Sequence, residues 1–224
     1  MTILIDTEPE NVLAGMSLGI HGIVGKADLS RKLKNFIGDP IERGLAFLRQ
    51  NAGRLYTTTS DGHTMDENYA QRLILEATED TTLVGPNRPP RLWNFFSGKP
   101  KFTGQVYPAD MDTTALALLI LGYDPALAHL IIDEMPTYVN EDGLTYTDKT
   151  RPRVDAVIAV NVLVALHKHG RYYELLQTMT WVQNILFNRA CIHGTGYYPS
   201  PEWLLFYVFP TPHLFQRPNN SRKT

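Results

Sequence analysis

The chain has 224 residues, enough for one domain, or a domain with an appendage, and for a sizeable core. Its 21 Lys and Arg against 23 Asp and Glu leave a net charge of -2, which gives no global reason to expect nucleic acid or a charged membrane as partner. A single cysteine, Cys191, excludes an intramolecular disulfide and fits a reducing compartment, and the apolar runs fall short of the ~20 residues that span a bilayer. No charged segment followed by an apolar one opens the chain, so no signal peptide is expected. The expectation is a soluble, cytoplasmic protein in which Cys191 is a small buried hydrophobe.

In chain order, Thr2–Ile5 is apolar and β-leaning, Asn11–Leu18 has helical spacing, and Ile20–Val24 is strand-like after Gly19. This is a βαβ-sized piece, with Asp6 at the end of its first strand, where α/β folds put their chemistry. Two parallel strands alone leave unpaired edges, so the piece either packs on a helical body or is shortened from a longer arrangement. Ile3-Leu4-Ile5-Asp6-Thr7-Glu8-Pro9-Glu10-Asn11-Val12-Leu13-Ala14, followed by Gly19-Ile20-His21-Gly22-Ile23, resembles the last motif of haloacid-dehalogenase-type phosphatases. In that family an acidic pair after the strand helps to hold Mg²⁺. Only Asp6 of the pair is present, Thr7 takes the second place, and the nucleophile motif that belongs upstream is missing. Residues 1–25 are therefore expected to be a remnant without phosphatase activity.

Residues 26–60 are predicted as a helical linker. Leu29, Leu33, Phe36 and Ile37 keep helical spacing; Asp39 caps and Pro40 starts a second helix carrying Ile41, Leu45, Phe47 and Leu48. Arg54–His63 is polar and predicted as a loop. Asp66–Thr78 is a helix with Tyr69, Ala70, Leu73, Ile74 and Ala77 on its apolar stripe. Thr81–Pro108 is a long irregular connection in which Arg88, Arg91, Lys99 and Lys101 interleave with Trp93, Phe95 and Phe96. It is either a solvated basic loop anchored by its aromatics or a cover over a pocket, with Gly98 and Pro100 suited to a hinge.

The rest of the chain is organised around Val106-Tyr107-Pro108-Ala109-Asp110-Met111-Asp112-Thr113-Thr114-Ala115-Leu116-Ala117-Leu118-Leu119-Ile120-Leu121-Gly122. No polar side chain falls between Ala115 and Gly122, and a helix apolar all round is a buried one. Asp110 and Asp112 thus stand where a buried helix begins. Asp at a helix start is an ordinary N-cap, which stays ionised. Two close carboxylates at the edge of a dry interior instead resist ionising together and keep a proton near neutral pH.

Downstream, Pro125–Met135 is a helix and Tyr138–Arg153 a loop with an Asp142-Gly143 turn. Arg151-Pro152-Arg153 delivers two cations to the start of Val154–His169, a nearly all-apolar helix in which Asp155 and Asn161 suit capping and core hydrogen bonding. Arg171–Ala190 is amphipathic, Pro201–Phe209 is a short aromatic helix, and the tail from Pro210 is expected to fray. Roughly eight helices follow residue 26. The class is mainly α with a small α/β appendage, divided as 1–25, a linker 26–60, a helical domain 61–215 and a flexible tail 216–224.

Asp110-Met111-Asp112-Thr113-Thr114 resembles the Asp-x-Asp-Thr-Thr acid motif of class II terpene cyclases. With it go Glu67-Asn68-Tyr69-Ala70-Gln71-Arg72-Leu73-Ile74-Leu75-Glu76, Arg151-Pro152-Arg153-Val154-Asp155 with Asn161-Val162-Leu163, Gly194–Pro201 and the Asp6–Ile23 segment. In this order they resemble the fungal haloacid-dehalogenase-like terpene cyclases that make drimane-type sesquiterpenes, in which a phosphatase-like domain precedes the cyclase domain. The resemblance runs from Ile3 to about Phe209, with the phosphatase half shortened and with Gly196 where a larger, basic residue is expected. It implies a partial α/α toroid with Ala115–Leu121 and Val154–Leu166 among its inner helices.

In that resemblance Asp112 protonates the terminal alkene of farnesyl diphosphate, with Asp110 beside it. Arg151, Arg153, Lys99 and Lys101 are the cations available to the diphosphate, together with Mg²⁺. Trp93, Phe96, Tyr107, Trp181, Tyr197, Tyr198 and Trp203 are candidates to stabilise the ring cations. A separate phosphatase would act on the bicyclic product. Two other functions stay open: a non-catalytic helical scaffold, and a haloacid-dehalogenase-type hydrolase supplied with its nucleophile by another domain.

Overall fold

A computed structural model describes residues 2–25, 28–85, 89–104 and 106–215, without the side chains of Asn35 and Phe36. Arg88 of the basic connection and the expected tail 216–224 lie outside the described residues. The chain divides into two compact units between Ala52 and Gly53, so the segment 26–60 expected as a linker is shared between them.

In the first unit, β1 (Ile3–Asp6), α1 (Pro9–Ser17) and β2 (His21–Val24) form the βαβ piece. The strands are parallel and in register from Ile3 opposite His21 to Asp6 opposite Val24. The helix lies close on its strands because glycine faces it. A Cβ on Gly22 would sit 2.5 Å from Val12 Cγ1, and one on Gly15 2.6 Å from Leu4 Cδ2. Two helices follow, α2 (Leu29–Ile37) and α3 (Pro40–Gln50), the latter capped by Asp39, which accepts from Ile41 N at 2.8 Å. Ile37 and Ile41 are exposed, and α3 buries no residue.

The second unit opens with a hairpin, β3 (Thr57–Thr58) against β4 (Thr64–Met65), inside and just after the stretch read as a loop. Strands this short carry too few residues to show a period of two, and only the β-branched threonines and Gly62 at φ +87° mark it. Then come α4 (Asn68–Thr78), α5 (Met111–Ile120), α6 (Pro125–Glu134), α7 (Ala156–Lys168), α8 (Leu176–Phe187) and α9 (Pro201–Val208). Among the described residues eight α-helices, α2 to α9, follow residue 26, and the protein is mainly α.

Helix α7 is the axis of this unit. It packs on α5, α8 and α9, and α4 packs on α5. All of α7 from Ala156 to Leu163 is buried, and so is α5 from Met111 to Leu118. The two helices lacking a polar face are thus the two at the centre, because each apolar side chain hidden there contributes roughly 1.5–3 kcal/mol. Helix α7 begins two residues later than the apolar run does, since Asp155 takes the capping place. The segment after Pro210 does not fray at once: a 3-10 turn at Pro212–Phe215 buries Leu214 and Phe215. No helix of the described residues is long and apolar enough to cross a membrane.

Candidate active site

The two readings of the acid pair divide between its two members. Asp110 is the N-cap of α5: its Oδ1 accepts from Thr113 N at 2.6 Å and its Oδ2 from the Thr113 hydroxyl at 2.9 Å. Asp112, two residues on and within the first turn, caps nothing. Its Oδ1 accepts from Asn161 Nδ2 on α7 at 2.7 Å, and its Oδ2 accepts from the Tyr198 hydroxyl. Asn161 is therefore a core hydrogen-bonding residue, and what it holds is the second carboxylate.

Both carboxylates are buried, yet both line a cavity of about 340 Å³. That is at the small end of the roughly 300–1,000 Å³ usual for small-molecule sites. The rest of the lining is largely aromatic and apolar, with Tyr69, Phe95, Phe96, Tyr107, Ile158, Tyr197 and Tyr198 around the acids. Desolvation raises Asp110 to about 7, and the Asp112 charge adds to the rise. Desolvation likewise raises Asp112, to about 6, against the hydrogen bonds from Tyr198 and Asn161 that favour its ionised form. Two like charges in one dry site share a proton, and the values belong to the pair rather than to either acid. Each carboxylate faces a hydroxyl that can accept as well as donate, so either can carry that proton.

Beneath the pair lies Arg72 of α4, fully buried, with its guanidinium 4.0 Å from the centre of the Trp93 ring. None of its three guanidinium nitrogens has a hydrogen-bond partner among the described residues. Burial lowers its pKa to about 10, and Asp110 supplies the largest field that opposes this. Arg72 therefore favours ionisation within the pair, acting on both acids and most strongly on Asp110.

The long connection is stitched to the start of α5. Trp93 N donates to the Thr114 hydroxyl at 2.9 Å, Asp110 N donates to Trp93 O at 2.9 Å, and Asn94 bridges to Ala109. This sets Phe95 and Phe96 on the cavity wall. Trp93 itself is turned away into the core, where its Nε1 donates to the Tyr123 hydroxyl. Trp181 and Trp203 also pack against the core outside the cavity lining, and the Trp203 ring lies 5.8 Å from that of Tyr198. Asp155 ties the Tyr197 loop to α7, accepting from Val157 N at 2.9 Å and from Tyr197 N at 3.0 Å. A Cβ on Gly196 would stand 3.6 Å from Asp155 Oδ2, so a side chain there would point at this carboxylate.

The predicted cations scatter. Arg151 lies nearest the cavity, its guanidinium 4.9 Å from the centre of the Tyr107 ring and its Nε 3.9 Å from Asp148. Arg153 is exposed, and its carbonyl accepts from Thr147 N at 3.0 Å. Lys99 is exposed, Lys101 donates to the carbonyl of Thr64, and Arg91 pairs with Glu134 at 2.7 Å. None of these lines the cavity. Among the described residues no group of three or more His, Cys, Asp or Glu side chains is placed to hold a metal ion. Sequence reasoning missed Arg72 and Tyr69 as members of the site. The one available signal was a Tyr and an Arg three apart on a single helix whose stripe otherwise looks apolar.

A family model described as the sesquiterpene cyclase astC-like C-terminal domain matches residues 41–169. The chain is also similar to drimenol cyclase drtB of Aspergillus calidoustus, with 41% identity over 209 residues, covering 92% of this chain and 40% of that protein. The chain thus spans well under half the length of this curated relative. No solved structure matches it.

Proposed function

The chain belongs to the sesquiterpene cyclase astC-like C-terminal domain family, and from that premise we propose that it is a protonation-initiated, class II sesquiterpene cyclase acting on farnesyl diphosphate. The observation that carries the reading is the carboxyl pair raised toward neutrality on the floor of an aromatic cavity. Protonating an alkene demands a carboxylic acid that is neutral near pH 7 and screened from water. Asp112 is that acid. Its proton goes to the terminal alkene carbon, the π pair becomes the new C–H bond, and Asp112 is left as a carboxylate.

Ring closure then carries positive charge along the chain toward a drimane-type bicyclic skeleton. The faces of Phe95, Phe96, Tyr107, Tyr197 and Tyr198 line that path, each able to stabilise a cation by roughly 0.5–2 kcal/mol. Loss of a proton from the last cation, or capture of water, ends the cascade with the diphosphate still attached. Arg151, over the Tyr107 ring, is the cation that meets that diphosphate in this reading. Mg²⁺ belongs to the substrate side of this reading, arriving on the diphosphate, because the described side chains form no cage of their own for it. A separate phosphatase then acts on the product.

In the same reading the second unit is part of an α/α toroid with α5 and α7 as inner helices. Residues 1–25 are like the last segment of a haloacid-dehalogenase-type domain, and the enzyme works in the cytoplasm. Purified chain incubated with farnesyl diphosphate and Mg²⁺, with products dephosphorylated and analysed by mass spectrometry, tests it. A bicyclic sesquiterpene alcohol is the expected product. Unchanged substrate at every enzyme concentration leaves the helical scaffold as the better reading.

A further inference from the structure

Behind Asp112 the hydroxyls of three tyrosines from three separate segments form one continuous chain. The Tyr198 hydroxyl, in the loop before α9, meets Asp112 Oδ2 and lies 3.2 Å from the Tyr69 hydroxyl of α4. The Tyr69 hydroxyl meets in turn that of Tyr207 on α9. Tyr198 and Tyr207 are buried and Tyr69 is half-buried, and Tyr207 lies outside the cavity lining. Packing alone would be served by phenylalanine, which has no hydroxyl to desolvate. These three hydroxyls are kept, and they satisfy one another.

Tyr198 has one hydroxyl hydrogen and two oxygen neighbours, so it can donate to only one of them at a time. The chain therefore has two polarities. With Asp112 ionised, Tyr198 donates to Asp112, Tyr69 to Tyr198 and Tyr207 to Tyr69. With Asp112 protonated, the carboxyl donates to Tyr198 and the others turn round. Those are the states of a hydroxyl chain before and after it has passed one proton inward.

We propose that Tyr207, Tyr69 and Tyr198 form the path by which Asp112 regains a proton after each cyclisation, an inference that rests on the cyclase reading above. A cyclisation leaves Asp112 as a carboxylate on the cavity floor. Tyr198 then gives it a proton and takes one from Tyr69, Tyr69 takes one from Tyr207, and Tyr207 takes one from outside. Each oxygen loses and gains one proton, every electron pair stays on its own oxygen, and one external proton is consumed. Burial pushes the Tyr69 phenol up to about 12 and raises the other two as well, so a free phenolate is costly and the protons move in concert. At the outer end Tyr207 feels Glu76, an exposed carboxylate on α4 two turns along from Tyr69 that can collect a proton from solvent.

The test separates the first turnover from those that follow. Rapid-quench assays on the full chain with farnesyl diphosphate and Mg²⁺ compare wild type, Tyr207→Phe and Tyr69→Phe. Asp112 enters the first turnover already protonated. Tyr207→Phe is therefore expected to keep the first-turnover rate within about twofold while its steady-state rate falls at least tenfold. Tyr69→Phe cuts the same path one step further in, and is judged on the same ratio of the two rates should Tyr207→Phe not fold. A steady-state rate equal to wild type in both variants overturns the path, and so does an equal fall in both phases, which marks a structural role. Absence of product from wild type overturns the cyclase reading instead, and the path with it.

Discussion

Two places in this chain put an aspartate at the end of an element, and they prepare it for opposite tasks. Asp6 closes β1 at the surface of the first unit. Its Oδ1 accepts from Glu8 N at 2.8 Å and its Oδ2 from Asn11 at 3.0 Å, and these donors hold its carboxyl below the usual range. Asp110 and Asp112 open α5 inside the second unit, where desolvation outweighs the hydrogen bonds and lifts both. Donors without burial make a permanent carboxylate, while burial with donors makes an acid that holds a proton near pH 7. Position at an element's end does not distinguish them; water does.

The largest expected effect is on the buried side. Asp112→Asn should lower cyclisation roughly 10²–10⁴-fold, the usual worth of a positioned general acid, while the variant still folds. Asp110→Asn, which keeps the helix cap, should lose less. Product analysis with circular dichroism checks both, and full activity in Asp112→Asn would move the acid elsewhere. Next comes the rim. Arg151→Ala should raise KM for farnesyl diphosphate about tenfold or more, since a charge-assisted contact is worth roughly 1.5–3 kcal/mol. Arg153→Ala should do less, and unchanged KM in both variants would redirect attention to Lys99 and Lys101.

The third effect is on stability, and its sign differs between the two places. The buried pair has folded pKa values raised above the unfolded one near 4, so its contribution is complete below that value and is lost as pH rises through about 6 to 7. Denaturant midpoints of wild type should therefore fall between pH 5 and 8 by the equivalent of roughly 2 kcal/mol. The Asp110→Asn, Asp112→Asn double variant should show a flatter profile over the same window; an identical slope would mean that the pair is ionised throughout. Asp6 runs the other way, its contribution being present at neutral pH and lost as pH falls through its depressed folded value. The smallest effect is expected at that site. Asp6→Ala should leave cyclisation unchanged, and neither it nor wild type should release phosphate from farnesyl diphosphate or a generic phosphomonoester. Phosphate release that vanishes in Asp6→Ala would give the first unit a chemistry of its own.

By itself the sequence determined which helices are central, where several of them start, and that two carboxylates stand at the mouth of a buried one. Apolar periodicity and capping are local, so Ala115–Leu118, Asp39 and Asp155 could be read from their neighbours in the chain. Tertiary structure alone decided which acid caps and which faces Asn161 and Tyr198, partners 49 and 86 positions away. It also decided that Trp93 turns inward onto Arg72, that Arg151 rather than Lys101 reaches the cavity edge, and that three tyrosines touch hydroxyl to hydroxyl. The reason is that a carboxyl's proton affinity depends on the water it has lost and the dipoles that replace it. Those dipoles come from segments that meet only when α4, α5, α7 and α9 have packed together.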